Sequence, residues 1–153
     1  MSAGHDGRTS GLTVPSGPAQ VEVIGRALVA AGCEPAEIEY VEAHGTGTSL
    51  GDPIEAGALA EVFGPTRSDE EPLYLGSSKS NIGHAQAAAG IAGVMKVILS
   101  LMHERLPKTL HCATPSEHID WDETGISLVR EGVSWPRDDA RKRRAGISSF
   151  GIS

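Results

Sequence analysis

Apolar residues recur at helical spacing from Ala19 to Ala31, with Val21, Ile24, Leu28 and Val29 on one face and Gly32 closing the run. This pattern predicts a first helix. Ile38 to Ala43 then reads as a short strand that opens into His44-Gly45-Thr46-Gly47-Thr48. Asp52 followed by Pro53 predicts a second helix, with the carboxylate as cap and proline in the first turn, running to about Phe63 before Gly64-Pro65. Leu73-Tyr74-Leu75-Gly76 is a second strand. A long helix is predicted from Ala85 to about Glu104. Its first half is nearly all small residues, and its second half carries Val94, Val97, Ile98, Leu101 and Met102 around much of its circumference. Small residues admit a close backbone, and an all-round apolar helix is expected to be central and buried. Residues 107–124, with Pro115 and Trp121, form an irregular crossing. Ile126 to Val129 is a third strand, for which a hairpin with Val133 to Trp135 is one arrangement, and Ala145 to Phe150 is a last strand. Strands alternating with helices imply an α/β fold with a mixed, mostly parallel sheet around the buried helix. There is no internal repeat.

Residues 1–18 break this pattern, being rich in Gly, Ser, Thr and Pro, and read as a connector from a preceding segment. The 153 residues suffice for one domain, taken as 1–153. A formal net charge of -7 argues against nucleic acid or an anionic membrane as partner. The basic run Arg141 to Arg144 is short and reads as a solvated loop. No stretch approaches the roughly 20 apolar residues of a membrane span, and the first residues lack a signal-peptide pattern. With only Cys33 and Cys112, a disulfide framework is not expected, and a cytoplasmic, reducing setting is.

Two loops could carry chemistry. His44 follows a strand and precedes alternating Gly and Thr, which puts an imidazole at the carboxyl edge of a sheet, where open α/β sheets bind ligands. An ordinary turn with a structural histidine fits the same residues. Gly76-Ser77-Ser78-Lys79-Ser80-Asn81-Ile82-Gly83-His84 is a strand-to-helix loop with Lys79 and His84 five residues apart. His84 is expected at the N-terminus of the long helix, where the dipole disfavours imidazolium. A neutral ring there can donate an N–H to a developing oxyanion, or simply cap the helix. Lys79 either orients the site or makes a surface ion pair. The loop is not a phosphate-binding Walker A motif, since its lysine does not follow glycine. His103, His111, Cys112 and His118 lie within 16 residues but lack metal-ligand spacing, so no metal site is expected. His111 and His118 read as surface residues and His5 as a turn residue. Neither cysteine has the context of a catalytic thiol.

Val41-Glu-Ala-His-Gly-Thr-Gly-Thr48, Gly51-Asp-Pro-Ile-Glu-Ala56, Gly76-Ser-Ser-Lys-Ser-Asn-Ile-Gly-His84 and Ser148-Ser-Phe-Gly-Ile-Ser153, in this order, resemble the ketosynthase domain of type I polyketide synthases. His5 to Pro18 and Leu106 to His111 are similar to intervening stretches, so the likeness spans essentially the whole chain. It implies the second half of a thiolase-like fold, with the family's nucleophilic cysteine in a first half that precedes residue 1. The family's final loop likewise continues beyond Ser153. The activity implied is a decarboxylative Claisen condensation of a cysteine-bound acyl group with a malonyl-type extender on acyl carrier protein. Position by position, His44 and His84 match the two family histidines and Lys79 the lysine that organises the site. Thr46 and Thr48 match the threonines that contact the phosphopantetheine arm. Ile152 falls where related enzymes have a gating aromatic, its N–H contributing to a second oxyanion hole. The resemblance implies no cofactor bound to this domain, the phosphopantetheine arriving on the carrier protein. The implied partners are that protein, the N-terminal ketosynthase half and, in the intact enzyme, a second copy in a homodimer.

Two other readings stand beside this one. The chain could be a non-catalytic half-domain that binds a carrier protein or a partner ketosynthase. It could also serve another thiolase-fold activity, such as acyl transfer or thioester hydrolysis. Acting alone, it is expected to be inactive. Apolar faces meant for the other half would leave it prone to self-association.

Overall fold

Ser16 opens the first helix, α1 (Gly17–Ala31): its hydroxyl accepts from the Ala19 N–H, and Gly32 closes the helix in the left-handed conformation. The structure is a computed structural model that describes residues 15–151. Most of the expected connector, with His5, therefore lies outside the described residues. Gly17 and Pro18 belong to the helix rather than to the connector, because proline is well suited to a first turn.

Four short strands form the main sheet: β1 (Tyr40–Glu42), β2 (Leu73–Gly76), β4 (Ile126–Leu128) and β6 (Ala145–Ile147). Their order is β4-β2-β1-β6 and every pairing is parallel. All three residues of β1 are buried, as befits a central strand covered on both faces. Side chains alternate across it. Val41 packs with Leu59, Phe63, Leu73, Leu75 and Ile126, beneath α1 and α2 (Gly51–Phe63). Tyr40 packs on the other face with Val97, Leu106, Val129 and Trp135. Helices thus cover both sides of the sheet, the α/β layering expected from the sequence.

Two local expectations are corrected. Asp52 is not the cap of α2. Leu50 holds that position, Thr48 Oγ1 accepts the Gly51 N–H at 3.0 Å, and the Asp52 carboxylate turns back to the preceding loop. Val133–Ser134 (β5) does not form a hairpin with β4. It pairs antiparallel with β3 (Arg105–Leu106), which lets Leu106 and Trp135 bury themselves against Tyr40. The basic run lies in a loop at the surface, as expected, where Arg141 pairs with Glu39, Arg144 with Glu37, and Arg143 donates to the Trp135 carbonyl.

The long helix is also shorter than its pattern. Residues 79–102 divide into a single turn, α3 (Lys79–Ile82), a 3-10 turn at Gln86–Ala88, and α4 (Ala89–Met102). The break coincides with positive φ at Gly83 (72°) and Gln86 (52°), which no continuous α-helix tolerates. The burial of α4 is one-sided. Ala89, Gly93, Val97 and Ser100 face the sheet, while Ile91, Met95, Ile98 and Met102 form a second apolar stripe that is 50–71% exposed. The apolar circumference predicts a central, buried helix, but the described residues cover only one side of it. Among the described residues no helix is long and apolar enough to cross a membrane.

Candidate active site

Both candidate loops leave the carboxyl ends of adjacent parallel strands, β1 and β2, so the topology alone brings them side by side. After β1 the chain turns sharply at Gly45 and Gly47, with φ of 47° and 76°. A side chain at 45 would also come within 3.0 Å of Ser77 Cβ. Two carboxylates of α2 secure this turn. Glu55, itself buried, accepts the N–H groups of His44 at 2.8 Å and Gly45 at 2.9 Å. Asp52 accepts the Gly47 N–H at 3.2 Å. Burial pushes both carboxyls up, opposed by these same hydrogen bonds.

The result is a fixed, half-buried His44. Its Nδ1 accepts the Phe150 N–H at 3.2 Å, and its ring lies 5.3 Å from that of Phe150. His84 lies ahead of the 3-10 turn and not at the helix start, so the expected control by the α4 dipole gives way to a local bond. Its Nδ1 accepts the Gln86 N–H at 2.9 Å. The two imidazoles meet edge to face with centroids 5.4 Å apart. A ring nitrogen that accepts an N–H carries no proton, which leaves Nε2–H as the donor on both rings. Two such donors are suited to one developing oxyanion.

Lys79 opens α3 and sits in the combined field of Glu42, Glu55 and Asp52. Burial lowers its pKa, and those carboxylates counter the effect. Its charge in turn acts on His44, whose pKa falls to about 4, first through burial and then through Lys79 and His84. A His44 Cε1 proton resonance followed by NMR is therefore expected to titrate near pH 4, and Lys79→Met to move the midpoint upward. Between about pH 6.5 and 4 the unfolded chain binds a proton at this position that the folded one refuses, so stability falls across that window as the solution is acidified. A midpoint at the ordinary 6.5 would remove the case for a neutral, desolvated donor.

Thr46 and Thr48 are exposed along the rim of the same turn, and Thr48 already serves α2. Ile152 lies outside the described residues. His111 and His118 are exposed, and among the described residues no three His, Cys, Asp or Glu side chains gather as a metal site. Cys33 donates to the Ala31 carbonyl, and burial pushes the Cys112 thiol up, with Asp52 adding to it. Neither thiol has a hydrogen bond to the histidine pair among the described residues. A cavity of about 440 Å³ lined by Lys108, Thr109, His111, Cys112 and Arg130 excludes both histidines. The pair sits instead on an open edge. Sequence reasoning gave no role to Glu55, although it lies within a motif already singled out. Nor did it see Ser77, whose hydroxyl donates to the Gly45 carbonyl at 3.4 Å and accepts from Lys79 N–H at 3.3 Å.

Residues 1–113 match the family model described as the β-ketoacyl synthase C-terminal domain. The chain is 57% identical over 149 residues to erythronolide synthase EryA3 of Saccharopolyspora erythraea, covering 97% of this chain and 5% of that protein. It is 55% identical over 150 residues to the pikromycin polyketide synthase component PikAIII of Streptomyces venezuelae, covering 97% of this chain and 10% of that one. Among solved structures, the oxazolomycin ketosynthase domain OzmH KS7 of Streptomyces albus JA3453 superposes with a TM-score of 0.89 at 42% identity, over 99% of this chain and 27% of that one. The module 6 ketosynthase of the bacillaene synthase from Bacillus subtilis 168 gives 0.88 at 44% identity, over 96% and 26%. The chain thus spans a small fraction of these curated relatives and about a quarter of the solved domains. With motifs, sheet order and superposition in agreement, the chain belongs to the β-ketoacyl synthase family, carrying its C-terminal domain in the form found in polyketide synthases.

Proposed function

We propose that this chain supplies the decarboxylation apparatus of a β-ketoacyl synthase, which condenses an acyl thioester with a malonyl-type extender delivered on acyl carrier protein. The observation that carries this is the His44–His84 pair, edge to face at 5.4 Å with each Nδ1 taken by a backbone N–H. The two Nε2–H groups donate to the thioester carbonyl oxygen of the extender. As the bond to the carboxylate breaks, carbon dioxide leaves and its electron pair passes into the enolate, whose negative oxygen the imidazoles hold. The enolate carbon then attacks an acyl group on a cysteine thiol, and the thiolate departs. That cysteine comes from the N-terminal ketosynthase half, not from Cys33 or Cys112. No step calls on a cofactor within this domain.

Lys79 keeps His44 neutral and orders the loop before His84. Thr46 and Thr48, on the exposed rim, contact the phosphopantetheine arm, and the Ile152 N–H joins the oxyanion site for the acyl carbonyl. The exposed stripe of α4 is where the N-terminal half packs, and the intact enzyme is a homodimer in the cytoplasm.

The test joins this chain to the first half of the ketosynthase domain of its Saccharopolyspora erythraea relative. Acyl loading by intact mass, carbon dioxide release from a malonyl thioester, and the condensed product are measured together. The chain alone is expected to do none of these, and the joined protein all three. Normal acyl loading without carbon dioxide release would overturn the reading, and carrier-protein binding without turnover would instead support a binding half-domain. Stoichiometric acylation of Cys33 or Cys112 would overturn the placement of the nucleophile elsewhere.

A further inference from the structure

We propose that Glu42 is a positioning residue for the histidine pair, acting through the backbone of the Lys79 loop. The inference rests on the function proposed above. Glu42 ends β1, two residues before His44, and is 2% exposed. A buried carboxylate must be paired or it destabilises the fold. Here Oε2 accepts from the Tyr40 hydroxyl at 2.6 Å and from Lys96 Nζ at 2.7 Å, and Lys96 also donates to the Tyr40 oxygen at 2.8 Å. The other oxygen, Oε1, accepts the Ser78 N–H at 2.6 Å.

A carboxylate that served only to neutralise Lys96 would need no bond to a loop. This one joins three elements, and each leads to a group of the site. β1 leads into His44, Ser78 immediately precedes Lys79, and Lys96 belongs to α4, which follows His84. The adjacent Ser77 N–H is held in the same way by Thr109 Oγ1 at 3.4 Å. Space for the arrangement is provided by two glycines. A Cβ at 93 would approach Glu42 Cγ at 3.1 Å, and one at 76 would meet the Tyr40 hydroxyl at 2.8 Å. Burial, reinforced by Glu42, pushes the Tyr40 phenol far up, so it remains a donor. Glu42 is also the carboxylate that acts most strongly to keep Lys79 charged. An oxyanion site gains rate only while its donors stay at the reacting oxygen, and a shift of about 1 Å costs about 100-fold.

The test uses the joined ketosynthase described above. Glu42→Gln is expected to lower kcat for carbon dioxide release about 10- to 100-fold. KM for the malonyl thioester and the rate of cysteine acylation should stay within about threefold, because acyl loading does not use the histidine pair. Lys96 loses its buried partner in that variant, so Glu42→Gln with Lys96→Met is measured as well. This pair removes both charges and is expected to regain thermal stability while kcat stays at least about tenfold down. Recovery of kcat along with stability, or acylation falling in step with carbon dioxide release in both variants, would overturn the positioning role. His84→Ala, run in parallel, separates the two ideas. If it retains carbon dioxide release, the functional reading itself fails. If it is inactive while Glu42→Gln behaves as wild type, only the inference about Glu42 fails.

Discussion

In the joined ketosynthase, His84→Ala is expected to slow carbon dioxide release from a malonyl thioester by about 100- to 1,000-fold, the usual cost of one oxyanion donor. The geometry sets this scale. On the proposed mechanism His84 contributes a single Nε2–H, its other nitrogen being held by the Gln86 N–H. His44→Ala removes the opposite donor and should cost a similar factor. In the proposed mechanism both act on one oxygen, so the double variant should lose less than the product of the two. Cysteine acylation should be unaffected in all three, which distinguishes a lost donor from a lost fold. A loss of acylation in parallel would assign the histidines a structural role.

Glu55→Ala carries the largest expected effect on stability. The carboxylate accepts two backbone N–H groups at the start of the His44 turn, and both would be left without their acceptor in a part-buried setting. At about 1–3 kcal/mol for each orphaned donor, the variant should lose on the order of 2–6 kcal/mol. For a chain of this size that is a fall in melting temperature of about 10 °C. Glu55→Gln retains one acceptor and turns an amide N–H toward the second donor, so about half the loss is expected. Near-wild-type melting of Glu55→Ala would show that the turn is held by its glycine geometry and not by α2.

These two predictions differ in how visible their residues were. His44 and His84 stood out in the sequence because histidine beside glycine, after a strand, is an uncommon and chemically specific pattern. Glu55 did not. It lies at a helical position where glutamate is ordinary, and only the return of α2 beneath the β1 turn makes it an acceptor for that turn. Glu42 was equally unreadable, since a charged residue ending a strand is more often solvated than clamped between Tyr40, Lys96 and Ser78. Both act over sequence separations that periodicity cannot register.

The local pattern of the chain determined the α/β class, the helices α1 and α2, the strands β1 and β2, and the two loops at their carboxyl ends, because these follow from short-range spacing and glycine placement. The same pattern overran at Ala85 to Ala88, where small residues of good helix propensity are broken by the backbone at Gly83 and Gln86. It also suggested a hairpin for Val133 to Trp135 that burial against Tyr40 redirected to β3. Only the tertiary structure decided that the two imidazoles meet, that the Phe150 N–H holds Nδ1 of His44, and that carboxylates of β1 and α2 hold the two loops. Those facts depend on parallel strands far apart in sequence being laid side by side, and no local preference encodes that.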